Sequence, residues 1–267
     1  MDHMEYGLEF CEKTLIPTIK NVVDKYVGTS YSIEKKGQGN FVTTVDKKIE
    51  QELIDRFQQL VPGSGVIAEE TEAQLEQKFN WIIDPIDGTT NFINGLQYAV
   101  SVALVYEQPD HILLGVVYNP KDDIWYYACK GKGSYILEKG MVTQLRVRTF
   151  PPDEGIVVFG MPYDRRKTGK ILDIVQKYYA IASDMKRIGP SSLDICLVAS
   201  GKAKMYLELD LNLWDISAGI LILTEAGGTY VQKGDLYIFG NDDIKRLNGQ
   251  QERAVVRIIK KSPKIVG

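Results

Sequence analysis

Residues 81–92 read WIIDPIDGTTNF, and the interpretation of the whole chain starts from this stretch. An apolar run of strand type ends in Asp84, and a second carboxylate, Asp87, follows three residues later. Gly88 permits a tight turn, after which Thr89 offers a hydroxyl and a backbone N–H. Two carboxylates at a strand end suit a hard cation such as Mg²⁺, and a Gly-Thr-Thr turn suits an anion such as phosphate. An ordinary Asp-Gly turn has the same composition, so this stretch alone leaves both interpretations open.

Further acidic residues stand where they could join this pair. Glu69 follows a strand-type run at 65–68, so we expect it at the same sheet edge as Asp84. Asp215 stands at the start of an apolar helix pattern, and Asp46 stands at the start of another. Each could simply cap its helix, but capping and metal ligation are compatible at one residue. For Asp46, the interpretation as a helix cap and the interpretation as a site residue are equally favoured.

Length and composition describe an ordinary globular protein. The 267 residues are enough for one large domain or two medium ones, with 44% apolar and 25% charged residues. Lys and Arg number 32 against 35 Asp and Glu, which leaves no basic excess for nucleic acid. Apolar runs such as 98–106 are too short to span a bilayer, and residues 1–5 lack the pattern of a signal peptide. We therefore expect a cytoplasmic protein with neither a nucleic-acid nor a membrane partner.

The positions of the cysteine and histidine residues give little support for catalysis by a cysteine or a histidine side chain. The three cysteines, Cys11, Cys129 and Cys196, have the spacing of neither a disulfide framework nor a metal cluster. The two histidines lie near the terminus, at His3, and in a turn, at His111, where surface positions are expected. Any catalysis therefore has to be carried by carboxylates.

Hydrophobic periodicity and turn residues predict the elements. Helices are predicted over 8–27 (interrupted or kinked at Pro17), 46–60, 168–182, 191–199 and 215–225. Strands are predicted over 65–68, 81–84, 99–106, 112–118, 124–128, 156–159 and 205–209, with a hairpin turn at 118–123 and a polar loop at 35–40. Strands alternate with helices only after about residue 146. We therefore predict an α+β subdomain over 1–146, carrying most of the site acids, and an α/β subdomain over 147–267, carrying Asp215 and a substrate wall.

Residues 84–92 (DPIDGTTNF) and 214–219 (WDISAG), the latter followed by residues 225–228 (EAGG), carry a family resemblance. They are similar to the first and second signatures of the inositol monophosphatase family. Glu69 and Glu70 stand at the distance upstream where that family keeps an acidic pair, and the resemblance covers nearly the whole chain. It implies a layered α-β-α-β-α sandwich of the inositol monophosphatase and fructose-1,6-bisphosphatase type. It also implies a homodimer, dependence on Mg²⁺ and inhibition by lithium.

The resemblance further implies a role for individual residues. Metal ligation falls to Glu69, Asp84, the carbonyl of Ile86, Asp87 and Asp215. Catalytic roles fall to Glu69 and to Thr89, which would orient the attacking water with Asp46 beside it. Substrate and phosphate contacts fall to Asp87, the backbone N–H groups of Gly88 and Thr89, Gly189, Ser191, Glu208 and Asp215. The implied cofactor is two or three Mg²⁺ ions. An all-oxygen site should also accept Mn²⁺, and Ca²⁺ should occupy it unproductively.

Three positions depart from the family pattern. Asn40 stands where a carboxylate is usual, and Pro190 with Ser191 replaces the usual small residues after Gly189, which removes a backbone donor from the substrate wall. Lys204 stands where an acidic residue is common. If Lys204 lies near the pocket mouth, it should favour substrates that carry a second anionic group. The alternative, a solvated lysine without a role, is equally favoured.

The predicted function is hydrolysis of a small phosphorylated substrate, myo-inositol 1-phosphate, by a Mg²⁺-dependent phosphomonoesterase of broad specificity. The alternatives are a related phosphatase of NADP, fructose 1,6-bisphosphate or 3′-phosphoadenosine compounds, and an inactive metal-binding scaffold. The intact acidic set disfavours the scaffold. A haloacid-dehalogenase phosphatase needs a D-x-D motif, and nucleotide-binding proteins need a Walker loop or a complete G-x-G-x-x-G, none of which occurs here.

Overall fold

The computed structural model describes residues 7–76, 78–151, 153–242 and 244. Residues 1–5, including His3, and the last part of the predicted 147–267 subdomain lie outside the described residues. Within the described ranges, no helix combines the length and the apolarity needed to cross a membrane.

The first layer consists of N-terminal helices. Helix α1 (Leu8–Phe10), a π-helical turn (Cys11–Leu15) and helix α2 (Ile16–Tyr26) run on without a break. Pro17 has no N–H to donate to the carbonyl of the preceding turn, and the helix changes type just before it. The α-helix passes through Pro17 without an interruption, and the departure from regular geometry is the π-helical turn that ends at Leu15.

A hairpin precedes the second long helix of this layer. Strands β1 (Ile33–Gly37) and β2 (Asn40–Thr43) pair antiparallel and lead into helix α3 (Thr44–Leu60). The prediction of a loop over 35–40 was wrong. Strand β1 is largely exposed on both faces, so it lacks the apolar–polar alternation by which a half-buried strand is recognised.

The second layer is a seven-stranded sheet, followed in strand order from β3 to β9. Strands β3 and β4 are parallel, and every later neighbour is antiparallel. The hairpin turn predicted at 118–123 joins β6 and β7, as expected. The strands, with the short helix α4 (Thr89–Ile93) between β4 and β5, are β3 (Gly65–Ala68), β4 (Phe79–Asp87), β5 (Ala99–Tyr106), β6 (Ile112–Asn119), β7 (Ile124–Cys129), β8 (Ser134–Glu138) and β9 (Met141–Gln144).

The second half of the chain forms the remaining layers. Its five-stranded sheet has the order β11-β10-β12-β14-β13, in which β10 runs parallel to both its neighbours and β14 antiparallel to both of its own. The elements are β10 (Ile156–Phe159), α5 (Thr168–Tyr179), β11 (Asp184–Lys186), α6 (Ser191–Ala199), β12 (Met205–Leu209), α7 (Leu213–Glu225), β13 (Thr229–Lys233) and β14 (Leu236–Gly240).

Three hydrophobic cores hold the five layers together, and the second of them spans two of the four interfaces. The first core joins α2 and α3 to one face of the seven-stranded sheet, with Phe57 stacked on Trp81 at 4.5 Å between ring centroids. The second core joins the opposite face of that sheet, through α6 and α7, to the five-stranded sheet. The third core joins the far face of the five-stranded sheet to α5. Helices α6 and α7 lie between two sheets, which explains why their sequences are apolar on nearly all sides. The predicted α-β-α-β-α sandwich is confirmed.

Two of the three cysteines, far apart in the sequence, are neighbours in space. The Sγ atom of Cys11, in the π-helical turn, lies 3.4 Å from Sγ of Cys129, at the end of β7, and both residues are buried. All three cysteines are free thiols.

Substituting Gly115 tests the packing of α7 on the first sheet. A Cβ atom at Gly115 of β6 would lie 2.9 Å from both Cα and the carbonyl oxygen of Ala218 in α7, so the helix backbone would have to move. We expect Gly115→Ala to lower the free energy of unfolding by about 1–3 kcal/mol in denaturant titrations. Gly169→Ala in α5 is the matched control, because a Cβ atom there meets nothing within 4 Å and alanine favours a helix. Equal stability of the two variants would contradict this close contact.

Candidate active site

Three carboxylates from two distant segments meet at the end of β4. Asp84 and Asp87 belong to the end of that strand, and Asp215 lies in the first turn of α7. One oxygen of each carboxylate lies within 4.8 Å of an oxygen of the other two. In a regular strand, side chains three residues apart point to opposite faces of the sheet. The pairing of β4 with β5 shifts register between Asp84 and Asp87, and this irregularity allows both carboxylates to reach the same place. Pro85, which has no N–H for the ladder, lies within that irregularity.

The three carboxylates together form a site whose negative charge favours binding of a cation. Burial, followed by repulsion from Glu69, Asp87 and Asp215, raises the pKa of Asp84 well above its usual range. Burial raises the pKa of Asp87 to about 6, and burial together with the charge of Asp87 raises the pKa of Asp215. Among the residues that the structure describes, no lysine or arginine forms an ion pair with any of the three. A donor set made only of oxygen fits Mg²⁺ or Mn²⁺, so the residues present suit the implied metal.

Glu69 lies beside this cluster, as its position after β3 predicted. Strands β3 and β4 pair Ala68 with Ile83, which puts Glu69 next to Asp84 at the sheet edge. The carboxylate of Glu69 accepts a hydrogen bond from the ammonium of Lys36, at 3.1 Å, and Glu70 accepts another from the same group. The sequence provided no indication of a role for Lys36, because the exposed β1–β2 hairpin has the composition of a loop.

Asp46 and Asp215 occupy equivalent places in their helices. Neither is the N-cap that the sequence suggested, since Thr43 and Asn212 are the N-caps. Each acid is instead the third helical residue, and its side chain reaches back to accept the N–H of the cap residue, at 3.0 Å for Asp46 and 2.6 Å for Asp215. These are capping boxes, which give both acids a fixed orientation. At Asp46 the other oxygen accepts a hydrogen bond from Thr89, so this acid both completes a cap and contacts a residue that lines the cleft.

Thr89 is the residue that links α3 to the end of β4. Its hydroxyl lies 3.1 Å from Oδ1 of Asp46 and 3.3 Å from the carbonyl oxygen of Ile86. A hydroxyl has one proton to donate, so its lone pairs remain able to accept a hydrogen bond. Gly88, immediately before, has φ +86°, and a Cβ atom there would lie 3.2 Å from Cβ of Pro190. Both the backbone conformation and the close approach of Pro190 therefore require glycine at this position.

The opposite wall of the site is formed by the start of α6 and the end of β12. The hydroxyl of Ser191 donates to Oε2 of Glu208 at 3.2 Å, and the hydroxyl of Tyr206 donates to the same oxygen. The N–H of Ser192 donates to Oδ2 of Asp87 at 2.7 Å, which ties this wall to the acidic cluster. The side-chain amide of Asn91 donates to the carbonyl of Gly189 at 3.1 Å.

All the site residues named from the sequence except Asp46 line a single cleft of about 960 Å³. Asn40 and Pro190, two of the departures from the family pattern, line it as well. So do Tyr163, Arg165 and Arg187, which sequence reasoning missed. These three lie in connections after β10 and β11, where no motif distinguishes them from ordinary surface residues.

Of the two equally favoured interpretations of Lys204, the one that places it near the pocket mouth is wrong. Lys204 does not line the cleft, and its ammonium donates to the carbonyls of Ile181, at 2.9 Å, and Pro151, at 3.4 Å. It directly precedes β12, whereas Glu208 lies near the other end of that strand, roughly 13 Å along the chain at 3.3 Å per residue. Lys204 is close to Glu208 in sequence, but the length of strand β12 keeps it away from the site.

The model of the inositol monophosphatase family matches residues 5–252. This chain belongs to that family. The fructose-1,6-bisphosphatase/inositol-1-monophosphatase of Aquifex aeolicus is 36% identical over 234 residues, 86% of each chain. The Nus factor SuhB of Salmonella typhimurium is 34% identical over 215 residues, 78% of each chain. The crystal structure of the extragenic suppressor protein suhB from Bartonella henselae superimposes with a TM-score of 0.78 at 29% identity, over 89% of this chain and 95% of that one. As a member of the inositol monophosphatase family, the chain has the fold and the acidic cluster of metal-dependent phosphatases of small phosphorylated molecules.

The titration of Glu208 gives a pH-dependent stability that can be measured. Burial raises the pKa of Glu208 from 4.5 to about 7, so the folded state holds this proton more tightly than the unfolded chain. The resulting stabilisation is complete below about pH 4.5 and is lost as the pH rises through 7. Glu208→Gln cannot titrate, so its stability relative to the parent should rise by roughly 2 kcal/mol between pH 5 and pH 9.

Denaturant titrations in EDTA at several pH values test this expectation. The matched control is Glu72→Gln, which makes the same substitution at an exposed glutamate outside the cleft. A pH-independent difference for Glu208→Gln would show that Glu208 titrates normally.

Proposed function

We propose that this protein is a Mg²⁺-dependent phosphomonoesterase that hydrolyses inositol monophosphate, with myo-inositol 1-phosphate as the reference substrate. The observation that carries the proposal is the meeting of Asp84, Asp87 and Asp215, all largely buried, without a cationic partner among the described residues. This cluster lies in a cleft that Thr89 and Glu208 also line, so a phosphate ester can contact both at once.

The metal-binding residues in this proposal are Glu69, Asp84, Asp87, Asp215 and the carbonyl of Ile86. When bound there, divalent cations neutralise the charge of the phosphoryl group and lower the pKa of water. The protein contributes a rigid arrangement of oxygen donors, because β3, β4 and α7 each hold their acid at an element end.

Thr89 and Asp46 orient the attacking water in this proposal. Asp46 accepts the proton of the Thr89 hydroxyl, which leaves the lone pairs of that hydroxyl to accept a hydrogen bond from water. Two bonds from Thr43 and the start of α3 hold the Asp46 carboxylate in place. Phosphoryl transfer depends mainly on positioning and charge neutralisation, so a fixed hydrogen-bond chain is a substantial contribution.

The remaining residues bind the substrate. The N–H groups of Gly88 and Thr89 hold the phosphate, since the left-handed Gly88 starts a helical turn there. Glu208 accepts a hydrogen bond from a hydroxyl of the substrate, with Ser191 and Tyr206 orienting its carboxylate. A homodimer, a cytoplasmic location, lithium inhibition and the lack of a nucleic-acid partner stay predictions from the sequence.

A substrate panel tests the proposed function. Phosphate release is measured with and without Mg²⁺ for myo-inositol 1-phosphate, fructose 1,6-bisphosphate, NADP and 3′-phosphoadenosine 5′-phosphate. The proposal expects Mg²⁺-dependent turnover of the inositol ester. If none of the four releases phosphate, the chain is a metal-binding scaffold and the proposal is wrong.

Replacing Asp84 by asparagine should abolish turnover while keeping the fold. The change removes one charge from the centre of the donor set, so we expect kcat to fall by several orders of magnitude. Circular dichroism and the unfolding midpoint show whether the fold is kept. Asp173→Asn, at an exposed aspartate of α5, is the matched control and should retain normal kcat. Near-normal turnover of Asp84→Asn in saturating Mg²⁺ would rule out this metal site.

Removing the metal should have a reversible effect on activity. After chelation with EDTA and desalting, phosphate release should disappear, and Mg²⁺ or Mn²⁺ should restore it. Ca²⁺ should raise the melting temperature of the metal-free protein without restoring turnover, since its coordination is looser. Full activity after exhaustive chelation would contradict the proposed mechanism.

A further inference from the structure

Glu50 of α3 is a buried carboxylate that lies behind the site and does not line the cleft. It is only 1% exposed. It accepts two hydrogen bonds from the segment that follows β3: the N–H of Glu70 donates to Oε2 at 2.9 Å, and the hydroxyl of Thr71 donates to Oε1 at 2.5 Å. Burial of a carboxylate is unfavourable unless hydrogen bonds compensate for it, so these two bonds are what allows a glutamate at this position.

The two bonds hold the backbone directly after Glu69. The N–H of Glu70 belongs to the planar peptide group that also contains the carbonyl of Glu69, so its hydrogen bond sets the orientation of that group. On the other side of Glu69, the preceding residue Ala68 is paired with Ile83 of β4. Glu69 is therefore held by the sheet before it and by Glu50 after it.

The segment that carries Glu69 has left the sheet at this point. Strand β3 ends at Ala68, and the chain returns only at Gln74, which exchanges two backbone hydrogen bonds with Val66, at 2.7 and 2.9 Å. Residues 69–73 between these points belong to no helix or strand. Lys36 also contacts Glu69, but it does so from the largely exposed strand β1. A bond from the buried face of a helix is the firmer restraint on such a loop.

Helix α3 restrains the ends of two neighbouring strands through one of its faces. Asp46 and Glu50 are four residues apart and therefore lie one turn apart on the same face. Asp46 accepts a hydrogen bond from Thr89, after β4, whereas Glu50 binds the segment after β3. The same helix packs on the sheet through the first hydrophobic core. Because β3 and β4 are parallel neighbours, this face of α3 sets the place of Glu69 relative to Asp84.

We propose that Glu50 is a positioning residue of the metal site. By holding residues 69–71 it keeps the carboxylate of Glu69 directed at the acidic cluster, and it thereby raises the affinity of the site for a divalent cation. Glu50 itself contacts neither metal nor substrate. A ligand that is already oriented loses less conformational entropy when a cation binds. The inference rests on the proposed function, in which Glu69 is a metal-binding residue.

Calorimetric titration of the metal-free protein with Mn²⁺ tests this role without any turnover. Glu50→Ala removes both hydrogen bonds and should weaken Mn²⁺ binding by about tenfold or more. Thr71→Val has nearly the shape of threonine and removes only the hydroxyl, so it should weaken binding by about threefold to tenfold. Thr71→Ser keeps the hydroxyl and should restore the affinity of the parent. Thr71→Val keeps the test decisive if Glu50→Ala does not fold.

The Mg²⁺ dependence of phosphate release from myo-inositol 1-phosphate is the second measurement. In Thr71→Val and Glu50→Ala, the Mg²⁺ concentration that gives half-maximal activity should rise by the same factor as the Mn²⁺ dissociation constant. The value of kcat in saturating Mg²⁺ should change much less, because the ligand set is complete once the cation is bound. A lower kcat with an unchanged Mg²⁺ requirement would contradict a role in metal affinity.

Glu52→Ala is the matched control. Glu52 is a glutamate of the same helix whose carboxylate accepts hydrogen bonds from Lys25, at 2.6 Å, and Tyr26, at 2.7 Å, both in α2. Replacing it removes bonds of the same kind on the side away from the site. We expect a lower unfolding midpoint and an unchanged Mn²⁺ affinity. If Glu52→Ala weakens Mn²⁺ binding as much as Glu50→Ala, the role of Glu50 is general stability and the proposal is wrong.

The remaining outcomes separate this inference from the proposed function. If Glu50→Ala weakens Mn²⁺ binding but Thr71→Val does not, Glu50 acts through its charge and the positioning role is overturned. If the parent binds Mn²⁺ and both variants bind it equally well, the positioning role is also wrong, while the phosphatase assignment stands. If Asp84→Asn leaves Mn²⁺ binding unchanged, the metal site is not at this cluster and the proposed function itself is overturned.

Discussion

The mutual repulsion of the buried carboxylates Asp84, Asp87 and Asp215 is the constraint around which this molecule is organised. Like charges within 4.8 Å of each other in a buried place destabilise the fold unless a cation or protons compensate them. The chain can hold them there because each is attached to a well-packed element. The apolar α7 lies between two sheets and presents Asp215 to the end of β4, and it packs closely on β6 at Gly115. Stability of the sandwich therefore maintains an arrangement that is unfavourable by itself.

The helix starts serve both the fold and the site. Asp46 and Asp215 each complete a capping box, so the interaction that starts each helix also fixes the orientation of its carboxylate. Thr89 then couples one of these caps to the turn after β4 through its hydroxyl. A substitution that weakens either cap would displace an oxygen of the site, so stability and activity should change together at these positions.

Side chains of both charges line the cleft. Asp84, Asp87 and Asp215 meet at the end of β4, whereas Arg165 and Arg187 belong to the connections after β10 and β11. Lys36, which also lines the cleft, pairs with Glu69 and Glu70 from the β1–β2 hairpin.

The sequence by itself determined whatever depends on short, contiguous patterns. The spacing of Asp84 and Asp87, the placement of Glu69 after a strand and the periods of the main helices and central strands all follow from local geometry and burial. Exposed or short strands such as β1, β9 and β11 were missed, because without a buried face they have no alternation to detect. Only the tertiary structure decided which distant side chains meet: Asp215 with Asp84, Lys36 with Glu69, Cys11 with Cys129, and Lys204 with backbone carbonyls rather than substrate. Those neighbours depend on strand order and on the packing of α7 between the sheets, which arise from contacts summed over the whole chain and leave no signal at any single position.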